Sequence, residues 1–262
     1  MTFRTRTIDE LTVEDERSFR HVALYADLKE VLRRAKYPFR VLPDSLEGRA
    51  DRALLLNLTF WGADAGGDLL ESDTIPADVV AHAAWHHLAA KALPHGGKPS
   101  AAALFLGEAI ASAFDVYLVG RLLGHAPNSS FLETQVPAMA EATEAAGLDE
   151  DGFESMLEAI AEGPERAFAD LRELLFDATS ALHACTDAEQ ASDALARFDE
   201  HRFATLLHRY ELSNWVLYAR AYGDREAEAT SGEPARALDA ALRSDKLPLE
   251  RLVRDWVTPA LR

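Results

Sequence analysis

Over most of the chain, apolar and polar positions follow helical spacing. In residues 14–36, Phe19, Val22, Ala23, Tyr25, Leu28, Val31 and Leu32 recur close to the helical period with charges between them. This predicts an amphipathic helix stopped by Pro38. The next apolar run, "RALLLNLTFW" (52–61), alternates Leu56, Leu58 and Phe60 with polar Asn57 and Thr59. That period of two favours a short β element near residues 53–60; the alternative is the end of a helix starting near Ser45. "GADAGGDLLESDTIP" (62–76) reads as loop and lacks the glycine pattern that opens a helix onto phosphate.

Pro76 and Asp78 suit the start of a helix that runs to about Leu93. "PHGGKPS" (94–100) breaks it, and a second helix runs from about Ser100 to Leu123, ending at Gly124. Residues 131–145, 150–186, 188–223 and 233–260 read as further helices, interrupted at Gly147, Gly163-Pro164, Gly223, "SGEP" (231–234) and Pro248. No internal repeat is visible. The fold class is mainly α. A helical domain over 1–223 contains the hairpin 76–124, and a C-terminal helical segment, 233–262, packs on it after the linker "DREAEATSGEP" (224–234).

Composition narrows the partners. The 262 residues, 48% of them hydrophobic, can bury a sizeable core. Acidic side chains number 44 against 27 basic, a formal net charge of -17. Such a surface repels phosphate backbones and anionic lipid, so the expected partners are a peptide, a small molecule or another protein, with no nucleic acid and no membrane. Basic patches are short, such as Arg33-Arg34 with Lys36. The one cysteine, Cys185, allows no internal disulfide and reads as a small, partly buried side chain. "MTFRTRTIDELTVEDERSF" has no apolar signal core, and ionisable residues cut the longest apolar stretches. The expectation is an acidic cytoplasmic protein.

Candidate chemistry centres on "AHAAWHHLAA" (81–90). His82 and His86 are four apart and share one helix face, where two imidazoles can bind one metal ion, zinc readily. His87 is turned about 100° away. The connector is short, so the next helix runs antiparallel and facing positions keep a constant sum. On that reckoning His86 faces Glu108, His82 faces about Ser112, and Val79 faces about Asp115. Glu108 lies in the apolar stretch "ALFLGEAIASAFDVYLVG", where a lone carboxylate is costly unless paired or bound to metal. Asp115 could accept a hydrogen bond from a ligand histidine.

This arrangement resembles the gluzincin zinc metallopeptidases. Their first motif is H-E-x-x-H on a helix; a following helix carries a glutamate in patterns such as G-E-x-x-A-D. Here the two read "HAAWH" (82–86) and "GEAIAS" (107–112). The resemblance covers about 40 of the 262 residues. It implies His82, His86 and Glu108 as zinc ligands, with Asp115, Ser112 and His87 around them. The chain departs from the pattern at Ala83, where those enzymes carry the glutamate that activates water. Alanine takes no proton, so the resemblance implies a zinc-binding protein inactive as a peptidase, either naturally degenerate or with alanine put in place of glutamate. The motif's final Asp is replaced by Ser112, with Asp115 a turn later.

Other readings remain open. The same residues could be a polar network in the core of a metal-free helical binding or regulatory protein, with Glu108 as partner of His86. Two histidines and a carboxylate could also hold Fe(II) or serve a mononuclear hydrolase. A di-iron bundle is disfavoured, because no Glu-x-x-His spacing occurs. Trp85, Phe105 and Phe114 read as core, and His95 and His125 as loop residues. "RFDEHRFATLLHRYELSNWVLYARAYG" holds His201, His208, Tyr210, Tyr218 and Tyr222. One of these could stabilise an oxyanion, although aromatic packing with polar tips is the favoured reading of this stretch. The acidic runs read as solvated helix faces.

Overall fold

A computed structural model describes residues 2–60, 68–93, 99–223 and 232–262. In chain order it has β1 (Arg4–Arg6), β2 (Thr12–Glu14), α1 (Ala23–Ala35), β3 (Phe39–Val41), α2 (Ala50–Phe60), β4 (Leu69–Leu70) and β5 (Thr74–Pro76). The helices α3 (Ala77–Ala92), α4 (Ala101–Leu123), α5 (Ser130–Ala145), α6 (Glu150–Glu162), α7 (Pro164–Ala184) and α8 (Ala188–Ala196) follow. A 3-10 turn (Ala204–Tyr210) leads to α9 (Leu212–Tyr222), and α10 (Gly232–Ser244) opens the C-terminal part. The chain ends with α11 (Pro248–Leu252), a π turn (Val253–Val257) and α12 (Thr258–Ala260). The molecule is mainly α, as the periodicity predicts.

α4 is the axis of the fold. It is apolar on all sides, so it must be covered all round. α3, α5, α6, α7, α9 and α10 all pack against it. By length and composition α4 could cross a bilayer, yet 89% of its most apolar window is buried inside the fold. Ser100 starts the helix by accepting a hydrogen bond from the Ala103 amide at 3.1 Å. Gly120 permits the closest approach: a Cβ there would lie 2.5 Å from the Ile160 carbonyl and 2.9 Å from Pro164. Gly124 ends the helix in a right-handed conformation, φ -86°, so its tolerance for left-handed backbone is not used.

The C-terminal segment joins the same core through Ala235, Leu242, Leu249, Leu252 and Val257. It is also tied by charge. Arg172 of α7 is fully buried and pairs with Asp239 of α10. Arg243 bridges Asp239, at 2.7 Å, to Asp177, at 2.6 Å.

Three expectations are corrected. Residues 53–60 are helix, not strand: α2 starts at Ala50, and Asp44–Leu46 form only a 3-10 turn. Polar Asn57 suggested a solvated strand face. Its amide instead pairs with the backbone of β4, donating to Leu69 O at 2.8 Å and accepting from Leu69 N at 3.0 Å. Second, α1 begins at Ala23, not near residue 14. Asp15 takes φ +52° and accepts from Ser18 Oγ and from the Ser130 amide, at 2.9 Å, which holds the preceding chain out of the helix. α1 closes before Pro38 as expected, on a left-handed Lys36. Third, 62–76 is not all loop. β4 pairs in parallel with β3, which also pairs antiparallel with β1, and β5 pairs in parallel with β2.

The helix expected over 188–223 is also broken, into α8, the 3-10 turn and α9, with Glu211 at φ +49°. Most of the expected linker, residues 224–231, lies outside the described residues, as does His95.

Candidate metal centre

β5 runs directly into α3, whose N-cap is Pro76. Apart from His87 and Lys91, the polar residues of α3 are Asp78, His82 and His86. These three recur at intervals of four, so they share one face. α4 returns antiparallel beside it and brings Glu108 opposite His86. Nε2 of His86 lies 3.2 Å from Oε1 of Glu108, the pairing that the hairpin arithmetic predicts.

One turn further, Asp115 meets a candidate ligand histidine, the contact the sequence allows it. His82 does not pair with Ser112, which is a buried residue of α4. Nδ1 of His82 lies 3.3 Å from Oδ2 of Asp115. Side chains on a helix lean toward its N-terminus. Asp115 therefore leans back along α4, and its carboxylate comes level with His82. His87 leaves the group altogether and meets the ring of Tyr37 edge-on at 5.4 Å.

The result is compact. His82, His86 and Glu108 each offer one ligand atom, and these atoms lie within 4.8 Å of one another. The imidazole rings stand 4.8 Å apart, tilted by 54°. The Glu108 side chain is 7% exposed, against 23% for His86 and 33% for His82. The carboxylate thus forms the floor and the imidazoles the more open side.

The electrostatics follow from burial plus neighbours. Burial pushes the Glu108 carboxyl up to about 8, with Asp68 and Asp115 adding to this and His82 opposing it. Burial disfavours a charged His82. Asp115, by charge and hydrogen bond, outweighs it together with Glu108 and Asp68, and holds the imidazole at about 9. Burial, helped by the His82 charge, puts His86 well below the usual histidine range, so its ring is neutral. His87 is neutral too, pushed down to about 4 by burial and by Lys91.

Two carboxylates near this group escaped the sequence reading. Asp78 is raised to about 6 by burial and by Asp115. Its position four before His82 was a usable signal. Asp68 is also raised by burial, hydrogen-bonds Tyr37, and acts electrostatically on both His82 and Glu108. Nothing local marks it, because β3–β4 pairing brings it in. Of the five distal histidines and tyrosines, Tyr210 is the one whose phenol feels Asp115. Its hydroxyl is buried beside Arg209, and burial raises its pKa against that neighbour. Trp85, Phe105 and Phe114 are core. His125 is exposed beside His21, with ring centroids 5.5 Å apart.

The residues present suit a metal ion. Glu108 Oε1 and Asp115 Oδ1 are buried oxygens that accept no hydrogen bond. Two imidazoles and one carboxylate form a donor set that mononuclear zinc and iron sites use. The group could hold a metal ion.

No family model, curated protein or solved structure matches this chain. The functional reading therefore rests on the site itself.

Proposed function

We propose that the chain is a metallopeptidase-like metal-binding protein that holds zinc through His82, His86 and Glu108 and lacks peptidase activity. The observation that carries this reading is the meeting of two i, i+4 imidazoles and one buried carboxylate within 4.8 Å. Asp115 supports it from behind. Its contact with Nδ1 of His82 leaves Nε2 as the nitrogen for a metal, and orients the ring. A bound zinc ion would serve as a Lewis acid toward a carbonyl or water oxygen. Position 83, which follows the first ligand, carries only a buried methyl group, so it takes no proton.

A second reading draws on one specific contact. The 3.2 Å approach of His86 to Glu108 is also the spacing of a buried histidine–carboxylate pair in a metal-free helical protein. Elemental analysis of the untagged protein, after growth with added zinc, separates the two. The expected result is about one zinc per chain, lost in His82→Ala and in Glu108→Ala while circular dichroism stays that of the parent. Iron in place of zinc, lost in the same variants, would keep the site and change the metal. No stoichiometric metal would overturn the proposal and leave a polar core network.

A further inference from the structure

A second site lies away from the metal centre. The C-terminal end of α7, α8, the 3-10 turn and α9 line an open cavity of about 700 Å³ that none of His82, His86, Glu108 or Asp115 lines. This is the size of a pocket for one small molecule, whose usual range is about 300–1,000 Å³. Its walls are mainly aliphatic, from Leu182, Leu195, Leu207, Leu212, Val216 and Leu217. Leu195 and Leu217 are exposed at this cavity, 36% and 59%. Large apolar side chains held at a cavity in water mark a surface that gains by being covered.

The charges at the cavity have a sign. Asp187, Asp199 and Glu211 line it, against a single guanidinium, Arg220. That guanidinium keeps its charge and turns it to the end of α7: its Nη2 donates to the carbonyls of Leu182, His183 and Cys185, at 3.2, 3.3 and 2.7 Å. Three carboxylates against one guanidinium leave the lining net negative, on a chain whose formal net charge is -17. Such a rim attracts a cation and repels a carboxylate. We propose that this cavity binds a small cationic amphiphile, an apolar body that seats among the leucines and a protonated amine that lies by Asp199 and Glu211.

The test is calorimetric titration of the full chain with decylammonium, decanol and decanoate, each below its micellar concentration. The expected result is saturable one-to-one binding of decylammonium, with a negative heat-capacity change, at least tenfold tighter than decanoate. Chelator leaves it unchanged. Leu217→Ser, a change at an exposed position, weakens it. Ala191→Trp, which fills the cavity, abolishes it. The double variant Asp199→Asn with Glu211→Gln removes the preference for the amine over the alcohol. Absence of saturable binding, or a preference for decanoate, overturns the proposal. So does binding that Leu217→Ser leaves untouched, since that would be cation attraction elsewhere on the acidic surface. Binding of a basic amphipathic helical peptide but not of decylammonium also overturns it, in favour of a protein-docking groove.

Discussion

Oδ2 of Asp115 lies 3.3 Å from Nδ1 of His82, on the side of the ring opposite Nε2. A carboxylate in this place fixes the tautomer and raises the basicity of the ligand nitrogen. Asp115→Asn should therefore keep the metal but bind it about 10- to 100-fold more weakly, whereas Glu108→Ala should lose it. Competition against a chromophoric chelator measures both. Equal losses in the two variants would make Asp115 a ligand itself.

Metal removal should lower stability. Binding to the folded chain alone adds about 2.7 kcal/mol when free metal is a hundred times the dissociation constant. Chelation should accordingly lower the midpoint of urea unfolding, and zinc should restore it. The shift should vanish in His86→Ala. An unchanged midpoint in the parent protein would remove the metal from the account of stability.

Restoring a glutamate at position 83 should not restore a peptidase. Ala83 is 1% exposed and belongs to the core cluster. A carboxylate there would be buried without a partner, at a cost of about 3 kcal/mol or more. Ala83→Glu should unfold at markedly lower urea and leave casein intact. A well-folded variant that cleaves casein would instead identify the parent as a disabled peptidase.

The Arg172–Asp239 pair should hold α10 to α7. Arg172 is wholly buried, and its Nε and Nη2 donate no hydrogen bond, so removing Asp239 leaves a buried cation with only the 3.4 Å approach of Glu173. Asp239→Ala should cost about 3–5 kcal/mol, while replacing both residues with apolar ones of similar volume should cost much less. Chemical unfolding of the singles and the double completes the cycle. Equal costs for the single and the double variant would show that the charge itself is not the cause.

Gly120 should tolerate no side chain. A methyl group there meets the Ile160 carbonyl at 2.5 Å, and backbone cannot swing aside as a side chain would. Gly120→Ala should destabilise by about 1–3 kcal/mol despite the better helix propensity of alanine. The same substitution at Gly124, with nothing within 4 Å, is the control. A stabilised Gly120→Ala would mean that α4 and the α6–α7 corner separate easily.

The legible part of the site was the hairpin. Its two helices have clear ends at Pro76 and Ser100, and the connector between them is short, so His86 and Glu108 could be paired from numbering alone. The short strands were hidden for the opposite reason. β4 has two residues, and β1, β2, β3 and β5 have three each, too few to display a period. "RALLLNLTFW" misled because a short alternation in an apolar run fits both a strand and a helix, and Asn57 had a backbone partner twelve residues away.

By itself the sequence determined a helical protein with two imidazoles and a carboxylate on facing helices, because hydrophobic period and short connectors act locally. The sequence also offered Asp115 as a partner for a ligand histidine; the tertiary structure decided that this histidine is His82, since side-chain lean on packed helices sets that contact. It alone gathered Asp68 and Tyr210 about the same group, and made a negatively rimmed cavity from α7, α8 and α9. Those meetings depend on strand pairing and on how distant helices cross, which no local pattern encodes.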